Sequence, residues 1–128
     1  MPIFALEKIN KIEGRIDFFK LTVNSKCQFD EFWEEISSEG SYTGELTTIQ
    51  IRMQSIAEMQ LLPQNKFKNI TPRDESVKEY EIKTKHLRVY LFHEEHSGKV
   101  IVYGGKKTSQ KRDIKKFRSI KRQYLSQK

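Results

Sequence analysis

The chain has 128 residues, with 24 Lys and Arg against 17 Asp and Glu, a formal charge of +7. That length suits one small domain and excludes a substrate domain set beside a cofactor domain. A single cysteine, Cys27, excludes an internal disulfide framework and a cysteine-only zinc site.

Residues 2–8 and 15–23 are rich in aromatic and aliphatic side chains, and the connecting NKIEG carries the turn formers Asn10 and Gly14. This predicts a β-hairpin. The alternation slips between Phe18 and Phe19, as at a bulge or in a strand buried on both faces. In residues 28–38, Phe29, Phe32, Trp33 and Ile36 recur at helical spacing, and Asp30 and Glu31 suit the positive end of the helix dipole. A loop with two glycines follows over 37–44. A second helix is expected over 44–60, with the stripe Leu46, Ile49, Met53, Ile56 and Ala57, a cap at Thr43 and a stop at Pro63. Both stripes read as core.

Residues 77–84 and 86–93 alternate apolar and polar side chains, Glu95-His96-Ser97-Gly98 supplies a turn, and 99–104 form a short apolar run. Together they predict an antiparallel meander of three strands. Residues 109–126 close the chain as a basic amphipathic helix. Its apolar side carries Ile114, Phe117, Ile120, Tyr124 and Leu125 and is expected to pack on the sheet while the Lys/Arg side stays wet. The sum is a small single α+β domain: a curved, mainly antiparallel sheet, two helices before the C-terminal meander, and a basic C-terminal helix.

The start of the chain lacks the apolar run of a signal peptide, and no apolar stretch reaches the roughly 18 residues of a membrane span. A soluble cytoplasmic protein is the expectation. The charge is concentrated: residues 106–128 hold ten bases and one acid, while the other 105 residues carry a net charge of −2. Such a segment attracts a polyanion, nucleic acid being the usual one, or an acidic protein partner.

There is no glycine-rich phosphate loop; Gly104-Gly105-Lys106-Lys107 lacks the required spacing. His93 and His96, with Glu94 and Glu95, fall in a hairpin turn without further metal ligands and read as solvated turn residues. Cys27 reads as a core or boundary residue. The meander carries an unusual cationic row: Lys83, Lys85, His86 and Arg88, then Lys106 and Lys107 after the last strand. A positive neighbour disfavours the protonated form of a lysine, and a lysine so placed can act as a general base. A guanidinium can hold a phosphate and stabilise the charge that develops on it. RNA brings its own nucleophile, the 2′-hydroxyl, so a base, an acid and cations suffice for cleavage without a metal. The plainer alternative is that these cations bind phosphate and do no chemistry.

Residues 80–124 resemble the C-terminal half of RelE/HigB-type toxins of bacterial type II toxin–antitoxin systems, within the RelE/ParE superfamily. The resemblance rests on the Tyr80-Glu81-Ile82-Lys83 strand, the Leu87-Arg88-Val89-Tyr90 strand, the Ser97-Gly98 turn, the Lys106-Lys107-Thr108 segment and the basic helix. At the level of fold it extends over residues ~15–125, so that 1–128 form one RelE-like domain with residues 1–14 as an N-terminal hairpin extension. It implies a ribosome-dependent mRNA endonuclease, an mRNA interferase, that cuts through the 2′-hydroxyl without metal or cofactor and is neutralised by a cognate antitoxin. Lys83 is then the candidate base, Arg88 the phosphate contact and Lys107 a second catalytic cation, for which Lys106 can substitute. Lys85, Lys106, Lys111, Arg112, Lys115 and Arg118 are the expected RNA-binding residues. Two positions depart from the RelE branch: Glu81 stands where that branch has a lysine, and Asp113 or a neighbouring base stands where it has a tyrosine. The general acid is therefore unassigned, with Tyr103, Tyr124 and His86 as candidates. A non-catalytic basic RNA-binding or protein-interaction domain and a gyrase-inhibiting ParE-type toxin are the alternatives.

Overall fold

The computed structural model describes all 128 residues. Six strands form one sheet: β1 (Phe4–Lys8), β2 (Phe18–Val23), β3 (Phe67–Asn69), β4 (Glu79–Lys83), β5 (Leu87–Glu94) and β6 (Gly98–Lys106). Helices α1 (Gln28–Glu39) and α2 (Thr43–Ala57) lie between β2 and β3, and α3 (Gln110–Ser126) closes the chain after a 3-10 turn at Lys107–Ser109. The strand order is β1-β2-β6-β5-β4-β3. Four of the five pairings are antiparallel; β2 and β6 run parallel, with Phe18 opposite Lys99 and Lys20 opposite Ile101. This is the α+β domain expected, on a mixed sheet. No helix is long and apolar enough to cross a membrane.

β1 and β2 pair without a break, from Phe4 opposite Val23 to Lys8 opposite Phe19. The slip at Phe18 and Phe19 is thus not a bulge. β2 is buried on both faces: Phe18 packs under α1 and α2, and Leu21 packs on the α3 side. The nine residues joining β1 to β2 do more than turn. Ile12 enters the core, and the amides of Arg15 and Ile16 donate to the Ala57 carbonyl at 2.8 and 3.0 Å. Two of the carbonyl's lone-pair sites at the C-terminus of α2 are thereby used. Gly14 lies so close to that carbonyl that a Cβ would collide with it.

Helix α1 starts at Cys27, whose Sγ accepts from the Asp30 amide, and stops at Gly40 in a left-handed conformation. Phe29, Phe32 and Ile36 face inward along one stripe. Helix α2 buries the expected Leu46, Ile49, Met53, Ile56 and Ala57. Its ends differ from expectation. Tyr42, not Thr43, holds the N-cap position, without a side-chain cap bond, and the helix stops at Ala57, well before Pro63. The loop amides at Ala57 and the positive φ of Met59 end it earlier. β3 was not foreseen. Only three residues long, it pairs Phe67 with Ile82 and stacks the Phe67 ring on Tyr80 at 4.8 Å.

The sheet carries a core on each face. Under α1 and α2 lies a cluster of 16 buried residues that includes Phe18, Ile82, Leu87, Val89, Leu91 and Ile101. Under α3 lies a smaller one of seven: Leu21, Tyr90, Phe92, Val100, Val102, Phe117 and Tyr124. A bulge in β6 sets the phase between them. Tyr90 faces Tyr103 but Leu91 faces Ile101, which leaves Val102 as the extra residue. Val102 and Tyr103 both lean toward α3, and beyond them Gly104 faces Phe32 of α1 while Gly105 faces Asp113 of α3.

The basic side of α3 is not uniformly wet. Lys121 is fully buried, its Nζ 2.7 Å from Glu79 and 2.9 Å from the Val77 carbonyl. Arg118 donates to Glu79 at 2.9 Å and to the Ile70 carbonyl at 2.8 Å. The helix's inward stripe is Asp113, Phe117, Lys121 and Tyr124, with Ile114, Ile120 and Leu125 at its margins. Burying an ammonium is costly unless it is paired and hydrogen-bonded, and here Glu79 and a main-chain carbonyl supply both.

Candidate nucleic-acid interface

β4 ends, β5 begins and β6 ends at one end of the sheet. Lys83 lies opposite Arg88, and Arg88 lies opposite Gly105. The Lys107 amide donates to the His86 carbonyl at 2.7 Å. Lys83 and Arg88 therefore face each other on adjacent strands, and Lys107 follows the end of the third, so the three occupy neighbouring backbone positions and not opposite sides of the molecule. Lys85 and Lys107 are exposed and Lys83 is half-buried.

Arg88 is 7% exposed. Its Nη1 folds back onto the β4–β5 turn, donating to the carbonyls of Thr84 at 2.6 Å and Leu87 at 2.8 Å. Nε is buried without a partner. Nη2 has no protein partner. Lys106 points the other way, toward α1, where it pairs with Glu39 at 2.9 Å and sits 6.0 Å from the centre of the Tyr42 ring. The hydrogen bond it donates to Glu39 holds the Lys106 ammonium above its ordinary pKa.

The turn between β4 and β5 is tied to α2 by one side chain. Glu45 accepts from the Thr84 hydroxyl and from the His86 amide (2.8 Å) through Oε1, and its Oε2 lies 2.6 Å from His86 Nδ1. Burial pushes the Glu45 carboxyl up, but the bonds from Thr84 and His86 outweigh it, and the net position is below the usual carboxylate range. Tyr42 stacks on the imidazole with ring centres 4.3 Å apart.

On the α3 side of the same end, Glu81 and Asp113 are buried. Glu81 accepts both of its bonds from Gln110, and Asp113 accepts from Ser109 at 2.8 Å. Glu81 is here a tie between the sheet and α3. Tyr90 lies among these groups with its hydroxyl unpartnered. Burial, with Glu81 and Asp113 adding to it against Arg88, pushes that phenol well above its ordinary range, so it stays protonated.

The three candidate acids separate clearly. Tyr124 donates to Glu94 at 2.8 Å. Glu94 ends β5, six residues beyond Arg88, which at ~3.3 Å per residue is about 20 Å away. Tyr103 is half-buried beneath α3, with the Lys116 ammonium 5.3 Å from its ring. His86 alone lies in the turn beside Lys83 and Lys107.

The expected RNA-binding residues divide as well. Lys111, Arg112 and Lys115 are exposed and line a groove of about 440 Å³ with Thr108 and Ser109. A second cleft of about 380 Å³ runs from Tyr103 and Lys106 to Arg112, between α1 and the start of α3. Arg118 lies outside this surface, committed to Glu79 and Ile70. Lys106 reaches it already paired with Glu39. His93 does not stand with His96 as a ligand pair; its Nδ1 faces Lys99 Nζ at 3.2 Å.

Comparison with protein-family models, with curated proteins and with solved structures finds no match. Tyr42, Glu45 and Thr84 were missed in the sequence. Glu45 lies 41 positions before His86, and nothing in the Thr43-Gly44-Glu45-Leu46 run marks it as more than a first-turn acid.

Proposed function

We propose that this chain is a metal-free endoribonuclease of the mRNA interferase kind, acting on mRNA in the ribosome and held inactive by an antitoxin that covers its basic surface. The observation that carries the reading is the row Lys83, Arg88, Gly105 across three strands, continued by Lys107. Lys83 takes the proton of the 2′-hydroxyl, Arg88 offers Nη2 to the scissile phosphate, and Lys107 stabilises the charge gathering there. The exposed Lys111, Arg112 and Lys115 supply the sequence-independent hold on the backbone.

The test is a purified translation reaction followed by toe-printing and analysis of the cut ends. Wild-type protein leaves a 2′,3′-cyclic phosphate and a 5′-hydroxyl, with or without chelator. Lys83→Ala and Lys107→Ala each lower the cleavage rate on the order of 10²–10⁴-fold, with unchanged melting temperature. Arg88→Gln loses activity too, measured beside its melting curve because Arg88 is nearly buried. Intact mRNA with wild-type protein bound to the ribosome would favour the non-catalytic RNA-binding domain. Intact mRNA with gyrase inhibited would favour the ParE-type reading.

A further inference from the structure

A cleft of about 290 Å³ opens where the loop after β1 meets α1 and α2. It lies on the sheet face opposite α3, beside the start of β2, and includes none of Lys83, Arg88 and Lys107. Its floor is Ile12, Phe29 and Met53, all buried, and its walls are Ile9 and Trp33, both half-buried. The groove at Lys111 and Arg112, by contrast, has no apolar lining. The walls are fixed from several sides. Gln54 of α2 bonds both main-chain groups of Glu13, and the Ala57 carbonyl holds the amides of Arg15 and Ile16. Lys20 ties β2 to α1 through both oxygens of Asp30, at 3.0 and 2.9 Å. The Trp33 ring packs 5.6 Å from that of Phe29. The cleft is thus pre-formed, as sites for small molecules usually are.

Its mouth is cationic. Lys20 is taken up by Asp30, and Lys8 lies 3.6 Å from Asp17. Lys11 is exposed and has no carboxylate partner, and the side-chain amides of Asn10 and Gln50 share the rim with it. A charge is costly to bury, so a charged head stays at the wet rim while an apolar body covers the floor. A phosphodiester chain has no apolar part to do so. We propose that this cleft binds a small monocarboxylate with an apolar tail, the tail on Phe29 and Met53 and the head at Lys11. The site shares no residue with the nuclease reading and stands or falls apart from it.

Trp33 is the sole tryptophan, so its emission is a local reporter. Decanoate shifts that emission saturably and raises the melting temperature as it is added. Decanol, with the same tail and no charge, binds on the order of tenfold more weakly, and Lys11→Glu loses a similar factor for decanoate. Gln50→Phe, which adds bulk at the mouth, weakens binding further, while Lys83→Ala binds as wild type does. Nuclear Overhauser contacts from the decanoate methyl to Trp33 and Met53 place the tail without recourse to a variant. A change in emission that never saturates, equal affinity for decanol and decanoate, or contacts only to residues outside the cleft would overturn the proposal.

Discussion

The two faces of the sheet are held by different physics. The face under α1 and α2 is a continuous apolar cluster, in which truncating a side chain leaves a void. The face under α3 has fewer than half as many buried apolar residues and fills the remainder with Glu79, Lys121, Arg118, Glu81, Gln110 and Asp113. Burying a charge is unfavourable unless its partners are all in place, so the second face depends on complete sets. The lesson is one of location. The candidate site sits where the dry face gives way to the charged one, at the sheet end where α2 supplies Glu45 and α3 begins.

The largest break in this contrast comes from the dry side. Phe18→Ala removes a fully buried ring and costs about 4 kcal/mol in urea unfolding. On the charged side, Glu79→Ala takes the nearest carboxylate from both Lys121 and Arg118 and costs about 3 kcal/mol, whereas the double change Glu79→Leu with Lys121→Met recovers most of that loss. A double variant as unstable as the single one would show that the pair is irreplaceable and the contrast misdrawn.

A finer test uses an ammonium on the helical-pair face that lacks the carboxylate partner which Lys20 and Lys106 have there. Lys99 is nearly buried, with the Tyr80 ring 4.5 Å from Nζ and no carboxylate partner, and burial lowers its pKa from 10.5 to about 8. Between those two values the unfolded chain binds more protons than the native one, so stability climbs as pH rises through that window. Below it the full penalty applies, and Lys99→Met stabilises the fold at pH 7 on the order of 2 kcal/mol. Unfolding curves at pH 7 and pH 10 check the sign: the gap between wild type and Lys99→Met narrows at the higher pH. The smallest structural effect is expected at Lys111 and Lys115. Replacing either by alanine leaves the melting temperature unchanged, weakens binding to RNA, and reduces the salt slope by about one.

Local pattern carried most of the architecture. The stripes of α1 and α2 are buried as their spacing predicted, and the meander from β4 to β6 has the expected antiparallel pairing, which alone brings Lys83 beside Arg88. What escaped depends on distance along the chain. The parallel register of β2 with β6 joins residues some eighty positions apart, and β3 is too short and polar to announce itself. Lys121 was legible in principle, since it stands four residues after Phe117 on the inward stripe. A lysine there reads as solvated until Glu79 is known to lie beneath it. Glu45 left no local trace, because its meaning comes only from the turn it meets.

The pairing of β2 with β6 also governs how the molecule can emerge from its own synthesis. Residues 18–20 are made some eighty residues before their inner neighbours, 99–101. Until then β2 presents an open border to any extended segment nearby. A nascent chain halted before Val100 would be left with an adhesive strand.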